Sequence, residues 1–238
     1  MRATLTATVL SGFVAWSGAA RAATELDAPK ADPSHHKVEF ENEWVRVVRA
    51  VIPPHEKTAL HDHPSLVSVL LTDADVKVTA QDGKVSEVHA KKGSASWRGP
   101  TVPAHVAENI GDKPYEQIIV EPKGPPNPAW KPPPRDVSKV SGADKVEFEN
   151  EYVRILRATF RKGDRSPMHD HPANVQIALD ASHLRSTTPD GKTTEVRSKA
   201  GEVKFRPAFS HAVETLDDGH TSIIVDLKNA PPAEAASR

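Results

Sequence analysis

The chain has 238 residues, no Cys, 12 His and 21 Pro, with 31 basic side chains against 32 acidic ones. Without thiols it has neither a disulfide framework nor a thiolate metal site, so any metal must be held by nitrogen and oxygen. The near-balance of charge, with no polybasic run, argues against nucleic acid and anionic membrane as partners.

Residues 1–22 open with Arg2, continue as an uncharged apolar run from about Leu5 to Ala20 and end in Ala20-Arg21-Ala22. This is the n-region, h-region and A-x-A pattern of a secretory signal peptide. A membrane anchor is the competing reading, but the run falls short of the roughly 20 apolar residues a span needs and is diluted by Ser11, Gly12, Ser17 and Gly18. Cleavage would leave a periplasmic or secreted chain with no membrane attachment. That chain has 216 residues and a net charge of −3.

After the signal segment the sequence repeats. Val38 to Arg49, VEFENEWVRVVR, returns as Val146 to Arg157, VEFENEYVRILR, with nine of twelve positions identical and an offset of 108. The offset persists through His61-Asp62-His63-Pro64 and His169-Asp170-His171-Pro172 and through Asp82-Gly83-Lys84 and Asp190-Gly191-Lys192. It falls to 106 at His105 and His211, and the unit closes with Ile118-Ile119-Val120 against Ile223-Ile224-Val225. Units of roughly 90 residues exceed the roughly 20 to 50 of solenoid repeats, so each copy is read as a domain, 36–121 and 144–228.

Residues 122–143 join them. Pro122 to Pro134 holds seven prolines, a composition that favours an extended, semi-rigid polyproline linker, with Trp130 as a packing anchor.

Within each unit the signal is β. Arg46 to Val51, Val67 to Leu71, Val76 to Thr79 and Ile118 to Val120 are short, β-branched and bounded by Pro, Gly or Asp. The Asp-Gly dipeptides suit type I′ hairpin turns. The expected fold is all-β, with two tandem antiparallel barrels.

Alternate residues of a strand share a face, so His61 with His63, and His169 with His171, present paired imidazoles. A later strand brings His105 in one copy and His211 in the other. Three neutral imidazoles make a facial site for a divalent transition metal with open positions for other ligands. A single strand His is usually structural, but three at matched spacings in two copies point to metal. His55, His89, His183 and His220 lack a repeat partner and are expected on the surface, as are His35 and His36 ahead of the first strand.

The sequence here resembles the cupin superfamily, in its duplicated bicupin form, which implies jelly-roll barrels. The family's first motif runs G, five residues, H-x-H, three or four residues, E, six residues, G. The second copy follows it from Gly163 through His169 and His171, with Gln176 at the place of the metal-binding Glu; the first has His55 for the Gly and Ser68 for the Glu. The family's second motif is met by Gly93, His105 and Asn109 in copy one. In copy two Gly201, Pro207 and His211 meet it, with Thr215 for the Asn. The resemblance implies a metal on His61, His63 and His105 and another on His169, His171 and His211, with Gln176 offering a neutral carbonyl oxygen. The missing Glu is closer to three-histidine dioxygenases than to the three-His, one-Glu type, and it leaves the ion's charge uncompensated, which attracts anionic or enolisable substrates.

Arg206 and its match Arg98 stand just ahead of the metal His, placed either to clamp a substrate carboxylate or to cover the barrel rim. Glu214 is an acid or base candidate, with surface ion pairing as the simpler alternative. The sequence therefore leads to an exported cupin that binds Fe, Mn, Ni, Cu or Zn and oxidises a small enol, phenol or carboxylate. The alternative is a non-catalytic periplasmic module that binds metal or a small ligand.

Overall fold

A computed structural model of the chain describes residues 25–231; the signal segment lies outside them. Among the described residues no helix is long and apolar enough to cross a membrane. The first copy contains strands β1 (His36–Glu41), β2 (Val45–Ile52), β3 (His61–Leu70), β4 (Ala74–Ala80), β5 (Val85–Ala90), β6 (Ala95–Asn109) and β7 (Tyr115–Pro122), after a single-turn helix α1 (Ala28–Ala31). They form one antiparallel sheet in the order β1-β2-β7-β3-β6-β4-β5, curled on itself.

The second copy follows a matched one-turn helix α2 (Val137–Val140) and runs β8 (Asp144–Glu149), β9 (Val153–Arg161), β10 (Arg165–His171), β11 (Asn174–Ala178) and β12 (Ser182–Thr187). It continues with β13 (Thr193–Ser198), β14 (Val203–Arg206), β15 (Phe209–Thr215) and β16 (Gly219–Leu227). Here the barrel resolves into a five-stranded sheet, β14-β11-β16-β9-β8, and a four-stranded one, β10-β15-β12-β13. The long β3 and β6 correspond to β10 with β11 and β14 with β15. Pro172 and Pro207 stand at the two breaks and cannot donate to a ladder.

One turn differs from expectation and another explains a substitution in the motif. The Asp-Gly hairpins have positive φ only at Gly83 (86°) and Gly191 (81°). Gly83 N–H donates to Ala80 O and Ala80 N–H to Lys84 O. This is a type I turn closed by one left-handed Gly, in place of a type I′ turn, so Asp keeps an ordinary backbone. His55, the residue substituting for the motif's Gly, has φ 62°, and Gly163 has φ 77°; the turn demands the left-handed region whichever residue fills it.

The largest apolar cluster lies between the barrels. Val45, Val47, Val67, Val69, Ile118 and Val120 of copy one meet Val153, Ile155, Val175, Ile177, Ile223 and Val225 of copy two. The alternate residues Val48, Ala50 and Ile119 face the interior of their own barrel. Strands buried on both faces read as continuous apolar runs, which explains Val47-Val48 and Ile118-Ile119-Val120. The interface is pseudo-symmetric: Arg49 Nη2 donates to Gly201 O at 2.7 Å, and Arg157 Nη2 to Gly93 O at 2.6 Å. Matched residues exchanging matched contacts is the isologous pattern of a two-fold dimer, here within one chain. Trp97 stacks on Tyr152 across it, with ring centroids 5.4 Å apart.

The segment 122–143 is more than a spacer. Trp130 lies under Lys228 Nζ, 4.4 Å from its ring centroid, as expected of a packing anchor. From Asp136 onward the segment repeats the lead-in of copy one: Asp27 bridges to Asp62 and Asp136 to Asp170.

Candidate metal centres

The paired His residues lie at the start of β3 and at the end of β10, where bulges interrupt the register beside them. His61 pairs directly with His105 of β6, and His169 with His211 of β15. Cross-strand opposition, which places Cβ atoms about 5 Å apart, is what brings the third imidazole to the first two. His61, His63, His169 and His171 are each less than 5% exposed.

In copy two the Nε2 atoms of His169 and His171 are 3.0 Å apart. One ligand atom from each of His169, His171 and His211 lies within 4.8 Å of the others. Two nitrogens bound at right angles to one ion, at bonds of roughly 2.0–2.1 Å, would be about 3 Å apart, so the trio fits a transition metal. The second ring nitrogens of His61, His169 and His211 are held. His169 Nδ1–H donates to Pro167 O at 2.7 Å, and its counterpart His61 Nδ1–H to Ala59 O at 2.9 Å. His211 Nδ1 meets Ser186 Oγ at 3.0 Å. A carbonyl partner fixes the Nδ1–H tautomer and leaves Nε2 free for the ion.

Copy one differs from expectation. The compact trio is His36, His61 and His63. His105 remains beside it, its ring centroid 4.4 Å from His61 and 5.8 Å from His63, and its Nδ1–H donates to Pro103 O. His36 is 3% exposed, against the expectation of a surface residue, and His35 is held by Asp32. His220 is also buried, stacked on Phe160 and lining the second cavity. It occupies the place of Tyr115, which lines the first. His55 and His89 are exposed as expected, and His183 pairs with Glu195.

Each cluster opens into a cavity within its own barrel. At the position of the family's Glu, Ser68 donates to Gln117 Oε1 at 2.6 Å. Copy two has the same pair reversed, Gln176 with Ser222, and both line its cavity beside the three His. Asp144, matched to His36, also lines that cavity. It is 5% exposed, accepts from Ser141 Oγ at 2.6 Å, and is held above the usual carboxylate range by burial.

Arg206 lies 4.4 Å over the Phe209 ring, which in turn stacks on His171 at 4.8 Å. Burial lowers the Arg206 pKa, and among the described residues no carboxylate pairs with it. Arg98 is exposed at the mouth of the first cavity. Glu214 does not reach the metal cluster. Three residues beyond His211 on a strand it faces the other way, and it pairs with Arg165 (2.6 Å) and Arg185 (2.7 Å); its expected role as acid or base gives way to that ion-pair role.

Behind the clusters run matched charged chains. His63 Nδ1 meets Glu121 Oε1 at 3.3 Å, and Glu121 accepts from Arg46, which grips Asp27. In copy two Arg154 joins Asp226 and Asp136. Asp226 is one methylene shorter than Glu121, and both its Oδ1 and His171 Nδ1 lack a hydrogen-bond partner. Asp226→Glu is therefore expected to restore the contact and tighten metal retention at copy two by about tenfold, the scale of such outer contacts. Competition with a chelator measures it, and unchanged retention would refute the account of the orphaned pair.

Crowded together, these imidazoles resist protonation. Burial above all pushes His61 and His211 down to about 3 and His36 to about 4. An unfolded His binds its proton near pH 6.5, so below that pH the unfolded chain takes up more protons. Metal-free protein is accordingly expected to keep full stability above about pH 6.5 and to lose it steadily as pH falls toward 4. Urea unfolding at about pH 7.5 and about pH 5.5 checks this, and equal stabilities would contradict it.

No protein-family model matches the chain, and no curated protein matches it. Solved structures do. A point mutant of oxalate decarboxylase from Bacillus subtilis aligns with a TM-score of 0.56 at 14% identity, covering 82% of this chain and 72% of that one. A point mutant of salicylate 1,2-dioxygenase from Pseudoaminobacter salicylatoxidans, in complex with gentisate, aligns at 0.51 and 11%, covering 76% and 68%. A cupin 2 conserved barrel domain protein from Leptotrichia buccalis aligns at 0.51 and 14%, covering 81% and 88%. At these identities the likeness is one of fold.

Proposed function

We propose that this chain, which has the duplicated cupin fold, is an exported metal-dependent oxidoreductase acting on a small enol, phenol or carboxylate from its second barrel. The observation that carries the reading is the 3.0 Å approach of His169 and His171 Nε2, with His211 beside them, inside a cavity that also holds Asp144. A divalent ion there, whether Fe, Mn, Ni, Cu or Zn, supplies Lewis acidity and, for the redox-active ions, a path for electrons to oxygen. The protein's own groups supply the rest. Arg206, cationic and without a carboxylate partner among the described residues, holds an anionic substrate group near the cluster. Asp144, its pKa raised, takes a phenolic or enolic proton and returns it. Phe160 and Phe209 narrow the cavity and keep water from the reacting face.

A second reading, a periplasmic binding protein for metal or a small ligand, is favoured by one observation: Ser68 and Gln176 leave both barrels without the family's metal-binding carboxylate. Oxygen uptake by metal-loaded, tag-free protein on a panel of phenolic acids, neutral phenols and diketones separates the two. Turnover is expected, with Arg206→Met raising KM about tenfold for acids and much less for neutral phenols. Tight binding with no turnover under any metal would establish the second reading instead.

A further inference from the structure

We infer that His36 is a metal ligand of the first barrel, supplying from β1 the fourth donor that Ser68 cannot, so that the two barrels hold metal in different ways. The inference rests on the metal-binding reading above and extends it to a residue outside the H-x-H and later-His pattern. His36 is the first residue of β1, paired with Ala50 of β2. Its ring centroid lies 4.5 Å from that of His61 and 5.8 Å from that of His63. One ligand atom from each of the three falls within 4.8 Å of the others.

His36 is 3% exposed. Its Nδ1 is buried without a hydrogen-bond partner, and the nearest carboxylate oxygen, Asp32 Oδ2, is 3.8 Å away. A desolvated ring nitrogen without a partner is unfavourable, and an imidazole packed against two more has no apolar surface to gain. An ion held by the ring's other nitrogen would account for a buried imidazole among imidazoles, with Asp32 beside Nδ1 as its outer neighbour. Ser68, by contrast, is engaged with Gln117. With His105 flanking His61 on the other side, the first site is all imidazole and carries no compensating charge, a set suited to Zn, Cu or Ni over Mn or Mg.

The matched position of the second barrel makes the contrast sharp. His36-Lys37-Val38-Glu39-Phe40-Glu41 and Asp144-Lys145-Val146-Glu147-Phe148-Glu149 differ only in the first residue. Asp144 is turned to Ser141 and is not among the three close donors of its barrel. The first barrel thus fills a coordination position with nitrogen where the second leaves it open beside a carboxylate, an arrangement for retention in one and for reaction in the other.

The test uses the full chain with His169→Ala and His211→Ala, which leaves the first barrel as the binding site, titrated with Co²⁺ and followed by its visible absorption. The parent is expected to bind one equivalent. His36→Ala and His36→Asn are expected to weaken binding at least about tenfold and to alter the absorption, while His35→Ala leaves both unchanged. A nitrogen count by pulsed electron paramagnetic resonance on Cu²⁺-loaded parent should include an imidazole that His36→Asn lacks. The inference is overturned if both His36 variants bind as the parent does while His63→Ala does not bind, or if the imidazole count of the parent is unchanged in His36→Asn. Absence of binding even with both barrels intact would overturn the metal reading itself along with it.

Discussion

Replacing His171 by Ala is expected to reduce metal affinity at the second barrel by at least about 100-fold, which corresponds to about 2.8 kcal/mol. His171 supplies one of the two nitrogens that stand 3.0 Å apart, and its ring is pinned between His169, His211 and the Phe209 face. Gln176 and Asp144 line the same cavity but are not among the three close donors. Equilibrium dialysis against a metal buffer measures the loss. The first barrel, with its own His set, should keep its equivalent, so total stoichiometry should fall by one and not to zero. Retention of the full complement would show that the second cluster is not a metal site.

Removing the Arg154 side chain should cost about 3–5 kcal/mol of stability, the range found when one partner of a buried ion pair is lost. Arg154 is 2% exposed and bonds Asp226 at 2.8 Å and Asp136 at 2.6 Å. Asp226 is fully buried, and burial already pushes it up to about 7 with the guanidinium present. Without Arg154, two carboxylates would face each other in the interior, one of them holding the lead-in segment at Asp136. Arg154→Ala should therefore lower the urea midpoint sharply and loosen α2. The matched Arg46, with 15% of its side chain exposed, should lose less on the same change, because water reaches its partners' charges. A loss under about 1 kcal/mol for Arg154→Ala would contradict this account of the network.

Much of this architecture was legible in the residues. Period-two spacing placed His61 with His63 and His169 with His171, and the repeat offset marked His105 and His211 as their cross-strand partners. Both are consequences of local geometry that hold wherever a strand forms. His36 and Asp144 were not legible, because the repeated strand reads as opening at Val38 and Val146, whereas β1 and β8 begin two residues earlier. The one available sign was that two ligand-type residues, His and Asp, occupy the same place ahead of an otherwise identical hexapeptide. His220 was placed outside because its match is Tyr115, not another His; the two share a position in the cavity wall without sharing chemistry. Glu214 looked catalytic through nearness in sequence to His211, but three residues along a strand is the opposite face. The lead-in at Asp136 was hidden inside a proline-rich stretch whose first half does behave as a connector.

The central claim is that imidazoles from separate strands converge on a shared ion in each barrel. The most direct test is elemental analysis of tag-free protein purified without chelators, with thermal unfolding before and after metal addition. The account predicts close to two equivalents of transition metal per chain and a higher melting temperature in its presence. Less than about a tenth of an equivalent, with no stabilisation on adding any of the five metals, would contradict it.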